Sequence, residues 1–322
     1  MKRKTTSILI ISTLLIILMS LLTNSNIVIL TVIDSFYMFI NNVFPTLFVF
    51  FIISDLLINF GFSELISELF KNSFAKIFNI KKESVYIFII SLISGFPGSS
   101  KYIKDMLDNG LIDIKDATKL LTFTHFSNPL FIIGTIGISF LNNKFIGFLI
   151  LIAHYLGAII VGILFRNFYK KEIAMEKVSF YFAINNMHKK RISNHKFIKI
   201  LSNSILNAFN TLTLIFGLIT VFSLINNIFI NNFITNNYFK IIISGLLEFT
   251  NGLKLLSISN LNRLSKALLA CSFISFGGFC VHLQVFSILS DYNINYFTYL
   301  CSRIVHLLIS FIILIILFMT LY

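Results

Sequence analysis

Apolar residues dominate long runs of this chain, and the polar residues gather between them. Runs suited to spanning or entering a bilayer lie near residues 44 to 60, 84 to 97, 118 to 142, 145 to 165, 203 to 230, 240 to 250, 264 to 290 and 297 to 321, judged against the ~20 residues that a helical crossing needs. Ahead of them, Lys2-Arg3-Lys4 and an apolar stretch from Ile8 to Leu22 read as an uncleaved signal anchor, because no small-residue cleavage site comes after it. Two runs are too short to cross. Residues 84 to 97 stop at Gly95-Phe96-Pro97-Gly98, and 240 to 250 stop at Phe249-Thr250-Asn251-Gly252. Two others are interrupted midway, by Ser127-Asn128-Pro129 and by Ser275-Phe276-Gly277-Gly278. Irregular backbone at membrane depth survives only where protein or a wet cavity satisfies it, so these patterns predict broken or re-entrant helices. Stretches 27 to 43 and 62 to 79 carry Asp34, Asn41, Asn42, Glu64, Glu68, Lys71 and Lys76 at near-helical spacing, which predicts interfacial amphipathic helices.

The interruptions come in the same order in both halves. Ile89-Ile90-Ser91 precedes the first break as Ile242-Ile243-Ser244 precedes the third, and Leu120-Leu121 precedes the second as Leu268-Leu269 precedes the fourth. This predicts an internal repeat. The expected organisation is a signal-anchor helix over 1 to 26, a first repeat over 27 to 167, a basic loop over 168 to 200 and a second repeat over 201 to 322.

Composition removes the soluble alternatives. The 322 residues are 57% hydrophobic and 12% charged, with 38 Phe and a mean hydropathy of +0.89; no polar face is left with which to build a soluble enzyme or a DNA-binding domain. The net charge of +13 then reads as topology rather than as nucleic-acid binding, because Lys and Arg collect beside apolar runs. The basic stretch from Arg166 to Lys199 predicts a cytoplasmic loop. Basic Lys71 to Lys82 is expected on that side too, and the odd number of apolar runs between them requires one run to enter and leave by the same face. That role falls to 118 to 142, with 101 to 119 and Tyr322 outside and Lys254, Arg263 and Lys266 inside; the second repeat is then inverted relative to the first. The fold class expected is an all-α polytopic membrane protein, an inverted repeat with broken and re-entrant helices.

Backbone groups freed at the breaks, and the positive ends of half-helices, can hold a polar ligand. Ser99 or Ser100 is expected to cap a helix over 101 to 109 that ends at Gly110, and Asn128 one that starts at Pro129. Ionisable residues at apparent membrane depth are Asp55, His125, His154, Glu248, His282, Arg303 and His306, functional candidates because their burial is costly. Glu248 is suited to binding a cation, taking up a proton or pairing with Arg303. His125 and His282 flank breaks and can donate hydrogen bonds, whereas His154 reads as a packed side chain, and His188 and His195 as solvated ones. Cys271, Cys280 and Cys301 form no CxxC pair, and no nucleophile with its base, metal cluster or phosphate loop is legible; neither an enzyme nor a cofactor is expected.

Several of these stretches together resemble the YlbJ-type sporulation integral membrane proteins, also called SpoVV, whose halves each contain a nucleoside-recognition or Gate domain. They are Phe44-Pro45-Thr46-Leu47-Phe48 through Ser54-Asp55-Leu56-Leu57, Ser94 to Lys101, Phe123 to Gly134, Glu248 to Gly252 and Phe276 to Val285, and after these Arg303 and His306. The resemblance implies kinship with concentrative nucleoside transporters, an endospore-forming source, and movement of dipicolinic acid across the outer forespore membrane. The candidate substrate-binding residues are Gly95, Pro97, Ser99, Ser100, Lys101, His125, Ser127, Asn128, Glu248, Thr250, Asn251, Gly277, His282, Gln284 and Arg303. The expected partners are a small anionic solute and the lipid bilayer, with no nucleic acid and with self-association into a homo-oligomer compatible. A nucleoside transporter, using Asn128, Asn251, Gln284 and Glu248, and a non-transporting spore-envelope scaffold stand as the alternatives.

Overall fold

In the computed structural model of the chain, residues 2–169, 180–193, 197–230 and 233–322 are described, and within them the secondary structure is helical throughout. The helices are α1 (Lys2–Thr23), α2 (Ser25–Met38), α3 (Phe44–Asn59), α4 (Phe62–Phe78), α5 (Val85–Ser94), α6 (Gly98–Asp108), α7 (Ile114–Phe123), α8 (Lys144–Leu164), α9 (Phe180–Ser193), α10 (Phe197–Ile225), α11 (Asn237–Leu247), α12 (Phe249–Ser257), α13 (Arg263–Phe276), α14 (Gly278–Ile288) and α15 (Tyr296–Leu321). Five helical stretches among the described residues are long and apolar enough to cross a membrane: Ser25–Asn59, Lys144–Asn167, Phe197–Ile230, Arg263–Ile288 and Tyr296–Leu321.

Asparagine sets many of the helix starts. The side chains of Asn143, Asn262 and Asn295 accept from backbone N–H groups at the starts of α8, α13 and α15 at 3.0, 2.8 and 3.1 Å, and Asn236 does the same for α11. Each satisfies donors that a helix start cannot satisfy within itself. Asp113 and Asp116 build a reciprocal capping box on α7.

Polar contacts mark two ends of the molecule. At one, Lys119 Nζ donates to the carbonyls of Asn79 and Arg166 at 2.6 Å each, Lys81 pairs with Asp116 at 3.2 Å, Lys190 pairs with Glu64 at 3.3 Å, and Lys104 pairs with Asp291. At the other, the Tyr322 hydroxyl accepts from Asn143 Nδ2 and Arg263 at 3.2 and 3.0 Å, and Lys254 pairs with Asp34 at 3.2 Å. The first end is much the more basic, since it also carries Lys71, Lys76, Lys82, Lys115 and the basic residues of α9.

These contacts correct the expected topology. Residues 101–119 lie at the same end as Arg166, so they are not across the molecule from the basic loop. Helices α5 and α6 form a hairpin whose tip is Gly95-Phe96-Pro97 and whose two feet, at Lys81 and Leu111, touch at the basic end, with Lys81 Nζ 3.2 Å from the Leu111 carbonyl. The segment from α7 through the π-helical turns Phe131–Phe140 runs instead from Lys119 at the basic end to Asn143 at the other, so it crosses. The element that returns to its own side is therefore 84–108, not 118–142. Lys254, Arg263 and Lys266 also lie at the end opposite Arg166, because residues 237–257 turn back on themselves as well. Counting charges along the sequence leads to the right parity and the wrong element, because a run broken by Asn128-Pro129 and one stopped by Gly95-Phe96-Pro97-Gly98 look alike until contacts are known.

A second hairpin, α11–α12, has its tip at Glu248 and its feet at the Tyr322 end, so the two hairpins enter from opposite ends. Its arms touch backbone to backbone: a Cβ on Gly252 would collide with the Gly245 Cα. The second broken crossing, α13–α14, bends at Gly277, whose φ of +89° is open to glycine.

Two further expectations change. Residues 27–43 do not form a separate interfacial helix: α2 runs through π-turns at Phe39–Val43 into α3 as one 35-residue helical stretch, about 52 Å at 1.5 Å per residue, and Thr31 and Ser35 are buried on it. Residues 62–79 do lie along the basic end, with Glu64 on Lys190 and the Lys76 carbonyl on Arg166. The basic loop holds a helix, α9, which docks on Gly61 through Met187 and buries Ala183. His188 on α9 is exposed, as expected, while His195 lies outside the described residues.

By the positive-inside rule the basic end is the one expected to face the cytoplasm. Single cysteines at Asn109 and Lys189 should therefore label from the same side of the membrane, and one at Ser259 from the other, when a membrane-impermeant maleimide is applied to intact cells and to inverted vesicles. Labelling of Asn109 and Lys189 from opposite sides would restore the topology that the sequence count suggested.

Candidate functional site

All four breaks meet in the interior. The Phe96 N–H donates to the Phe126 carbonyl at 2.7 Å, joining the first hairpin tip to the break in the first crossing. Gly95, at φ +73°, lies so close to that break that a Cβ there would be 2.8 Å from the Asn128 nitrogen. The Phe96–Pro97 peptide is cis. Asn128 caps the helical turns beyond the break, as expected: its Oδ1 accepts from the Phe131 N–H and its Nδ2 donates to the Thr46 carbonyl, both at 2.8 Å.

Ser127 N–H, freed by the break, donates to His154 Nε2 at 2.9 Å. That bond makes Nε2 an acceptor, so the proton of the neutral ring sits on Nδ1, which faces the Ser275 hydroxyl at 2.9 Å. His154 is thus a bolt between the second and fourth breaks, a role its apolar neighbours in sequence concealed. Its carbonyl accepts from His306 Nε2 at 2.8 Å, and His306 Nδ1 accepts from Arg303 at 3.2 Å.

Arg303 is fully buried and donates to the Thr122 carbonyl and to the Ser302 hydroxyl. Thr122 is in the last turn of α7, whose carbonyls have no helical partners, and a cation there also meets the negative end of the helix dipole. Among the described residues Arg303 has no carboxylate partner. Of the roles open to Glu248, pairing with Arg303 is not formed, because Glu248 is consumed as the N-cap of α12: it accepts from the Thr250 N–H and hydroxyl at 3.1 and 2.5 Å and from the Asn251 N–H at 2.8 Å. His282 donates from Nε2 to the Phe276 carbonyl at 3.0 Å, closing the last turn before the fourth break, and its Nδ1 faces Tyr296 at 3.2 Å.

A narrow cavity of about 20 Å3 lies where these segments meet, walled by Phe96, Ser127, Asn128, Phe131, Phe249 and Gln284 together with Val43, Leu47, Ile215 and Ile219. Phe249 stands edge-on to Phe96 and to Phe131, with centroids 5.8 and 5.7 Å apart. Wider cavities lie on either side. One of about 420 Å3 at the basic end is lined by Asp55, Glu64, Glu83, Tyr86, Tyr102 and Asp105 among others, and one of about 150 Å3 at the opposite end by Thr31, Asp34, Ser223, Asn226, Asn251 and Lys254 among others.

Of the sequence candidates, Ser127, Asn128 and Gln284 line the narrow cavity, and Gly95, Pro97, His125 and Gly277 stand around it. Lys101 does not: Asp55 holds its ammonium at 2.9 Å, and Asn207 backs the same carboxylate at 3.4 Å, so it is no free cation for a solute. Ser99 and Ser100 do not cap α6, which starts earlier, at Gly98 after Pro97; both lie buried in its first turn. Thr250 is taken up by Glu248, and Asn251 faces the outer cavity and donates to Ser223 at 2.8 Å. Sequence reasoning missed Tyr299, His154 and Phe249. Phe249 sits at a hairpin tip, which is a legible signal; Tyr299 is brought in only by the packing of α15.

Fold and site define an all-α polytopic integral membrane protein whose broken helices surround a narrow central cavity. No protein-family model matches the chain, and no solved structure matches it. The chain is 30% identical over 289 residues to the sporulation integral membrane protein YlbJ of Bacillus subtilis (strain 168), a match that spans 81% of this chain and 70% of that protein. It belongs to the YlbJ family of sporulation integral membrane proteins, and its role is a membrane one in sporulation.

The bolt at His154 gives a stability test. His154→Leu leaves the Ser127 N–H and the Ser275 hydroxyl without their shared partner, and a buried donor left unmade costs about 1–3 kcal/mol. Thermal denaturation of the purified protein should show a clear fall for His154→Leu and no resolvable change for the exposed His188→Leu; equal stabilities would remove the bolt.

Proposed function

We propose that this chain is a transporter of a small organic anion, dipicolinic acid by the resemblance of its motifs, acting at the outer forespore membrane, and that it is neither an enzyme nor dependent on a cofactor. The observation that carries this reading is the meeting of three breaks, at Phe96, Ser127-Asn128 and Phe249, with Gln284 of the helix that follows the fourth, at one narrow cavity between wider cavities at opposite ends. A scaffold for the spore envelope needs no such arrangement. At about 20 Å3 the centre has room for about one water, so a solute passes only if one part of the protein moves against another. The opposed hairpins suit that motion: read as the re-entrant elements of an inverted repeat with one Gate-like unit in each half, they would rock about the central site and open it to each side in turn.

Two features support an anionic, aromatic solute. The core carries Arg303 with no carboxylate partner among the described residues, and a dianion entering an apolar interior needs such compensation because unpaired charges there are costly to desolvate. Phe96, Phe131 and Phe249 offer faces and edges to a flat ring. One observation favours a second reading: Glu83 and Asp105 line the basic-end cavity beside the paired Asp55 and Glu64 and would repel a dianion at its mouth, whereas Asn128 and Gln284 offer amides suited to a nucleoside.

Uptake of labelled dipicolinate and of uridine into proteoliposomes separates the two. Dipicolinate should accumulate and uridine should not. Arg303→Gln should cut dipicolinate uptake at least about tenfold with its membrane content unchanged, and Arg303→Lys, which keeps the charge, should retain more. Uridine uptake without dipicolinate uptake would establish the second reading, and normal dipicolinate in spores of a strain lacking the protein would overturn the first.

A further inference from the structure

We propose that a carboxylate-binding subsite lies between the His125 side chain and the N-terminus of α14 at Gly277-Gly278. The inference deepens the transporter reading, on which it rests for the identity of the solute but not for the existence of the site.

His125 comes just after the last turn of α7 and is 2% exposed. Its ring lies under Phe96, centroids 4.6 Å apart and planes 18° apart, and its Nδ1 is 2.9 Å from the Tyr299 hydroxyl. Two proton arrangements are available. If Nδ1–H donated to Tyr299, the phenol proton and the Nε2 lone pair would both be left over. If Tyr299 donates to Nδ1, only one group is left over, the Nε2–H. The second arrangement leaves fewer buried polar groups unsatisfied and is the one the network selects. Among the described residues Nε2 has no partner. It is aimed at the bend between α13 and α14, where a Cβ on Gly277 would lie 2.5 Å from it.

That bend is itself a donor site. Gly277 is the N-cap of α14 and has no side chain with which to cap it, and the first N–H groups of an 11-residue helix have no intrahelical acceptors. They carry the positive end of the helix dipole. Beyond Tyr299 stands Arg303, its guanidinium carbon 5.4 Å from the Tyr299 ring centre. A buried N–H with no acceptor among the described residues thus faces a helix N-terminus without a side-chain cap, and a cation with no carboxylate partner among the described residues stands behind Tyr299. A carboxylate answers all three, because its two oxygens accept from the imidazole and the helix end together and its charge opposes that of Arg303. A neutral amide or hydroxyl supplies one acceptor and no charge. In the closed form Gly277 stands too near Nε2 for a ligand oxygen to fit between them, so the solute enters as the two breaks part.

Binding is read from thermal stabilisation of the full-length protein in detergent, which does not depend on transport. Dipicolinate and picolinate should each raise Tm, and picolinamide should not. His125→Phe keeps a ring against Phe96 and removes the donor; it should weaken picolinate binding at least about tenfold, the loss expected when a charged group forfeits one hydrogen bond. His125→Gln, which retains an N–H, should keep part of the affinity, and Lys101→Gln should leave it unchanged. Should His125→Phe give no cooperative melt, His125→Leu, which also removes the donor, replaces it in the comparison with His125→Gln. Unaltered picolinate affinity in the donor-free variant, or no carboxylate binding by the unaltered protein, overturns the subsite. Dipicolinate binding that depends on His125, with no uptake into vesicles, overturns the transport reading alone.

Discussion

A backbone N–H or C=O that leaves its helix inside an apolar layer has no water to turn to, and this constraint organises the interior of the protein. Each break frees such groups, and nearly every unusual polar side chain at depth is engaged with one of them. Asn128 receives the Phe131 N–H, His154 the Ser127 N–H, and Glu248 the first N–H groups of α12. Arg303 and His282 donate to the last carbonyls before the second and fourth breaks. Polar side chains in an apolar segment therefore have a structural duty before any transport duty, and His125, whose Nε2 has no such duty, stands out against that background.

The same constraint explains what was legible in the sequence. The breaks could be read because Gly95-Phe96-Pro97-Gly98, Asn128-Pro129 and Gly277-Gly278 are local signals: they stop a helix whatever surrounds them. Asn128 could be read as a cap for the same reason. The partners could not, since His154 lies 27 residues from Ser127 and 121 from Ser275, and Arg303 lies 181 residues from Thr122. Pairing by charge misled: Glu248 and Arg303 have opposite signs and similar depth, yet each goes to a helix end, where geometry supplies several partners at once. Lys101 went to Asp55 because the hairpin turns it away from the centre and towards α3.

Charge placement also separates the two hairpins. When 84–108 is the element that returns to its own side, Lys104, Lys115 and Lys119 join Lys81 and Arg166 at one end, and the bias between ends becomes stronger than sequence counting had made it. Asp105, Asp108, Asp113 and Asp116 balance the four Lys of 101–119 in a simple count, but Asp116 is tied to Lys81 and Asp113 caps α7. Acids committed to local structure mask a basic segment in a simple count without making it less basic at the membrane surface.

The two charges buried deepest, Arg303 and Glu248, are matched by helix ends and not by one another. Arg303 meets the negative end of α7, and Glu248 meets the positive end of α12. Glu248 is held by two backbone N–H groups and the Thr250 hydroxyl, and Arg303 by the Thr122 carbonyl and the Ser302 hydroxyl; neither residue lines the cavities. The closed form therefore needs no ion pair spanning the centre, and opening it need not pull apart two opposite charges in an apolar medium, which would be among the costliest steps available to it. On the proposed transport reading, what opening would undo is a set of neutral hydrogen bonds, chiefly those through which His154 ties Ser127 to Ser275. Each such bond contributes about 1 kcal/mol net, a scale on which a bound solute with a charge to neutralise can shift the balance between closed and open forms.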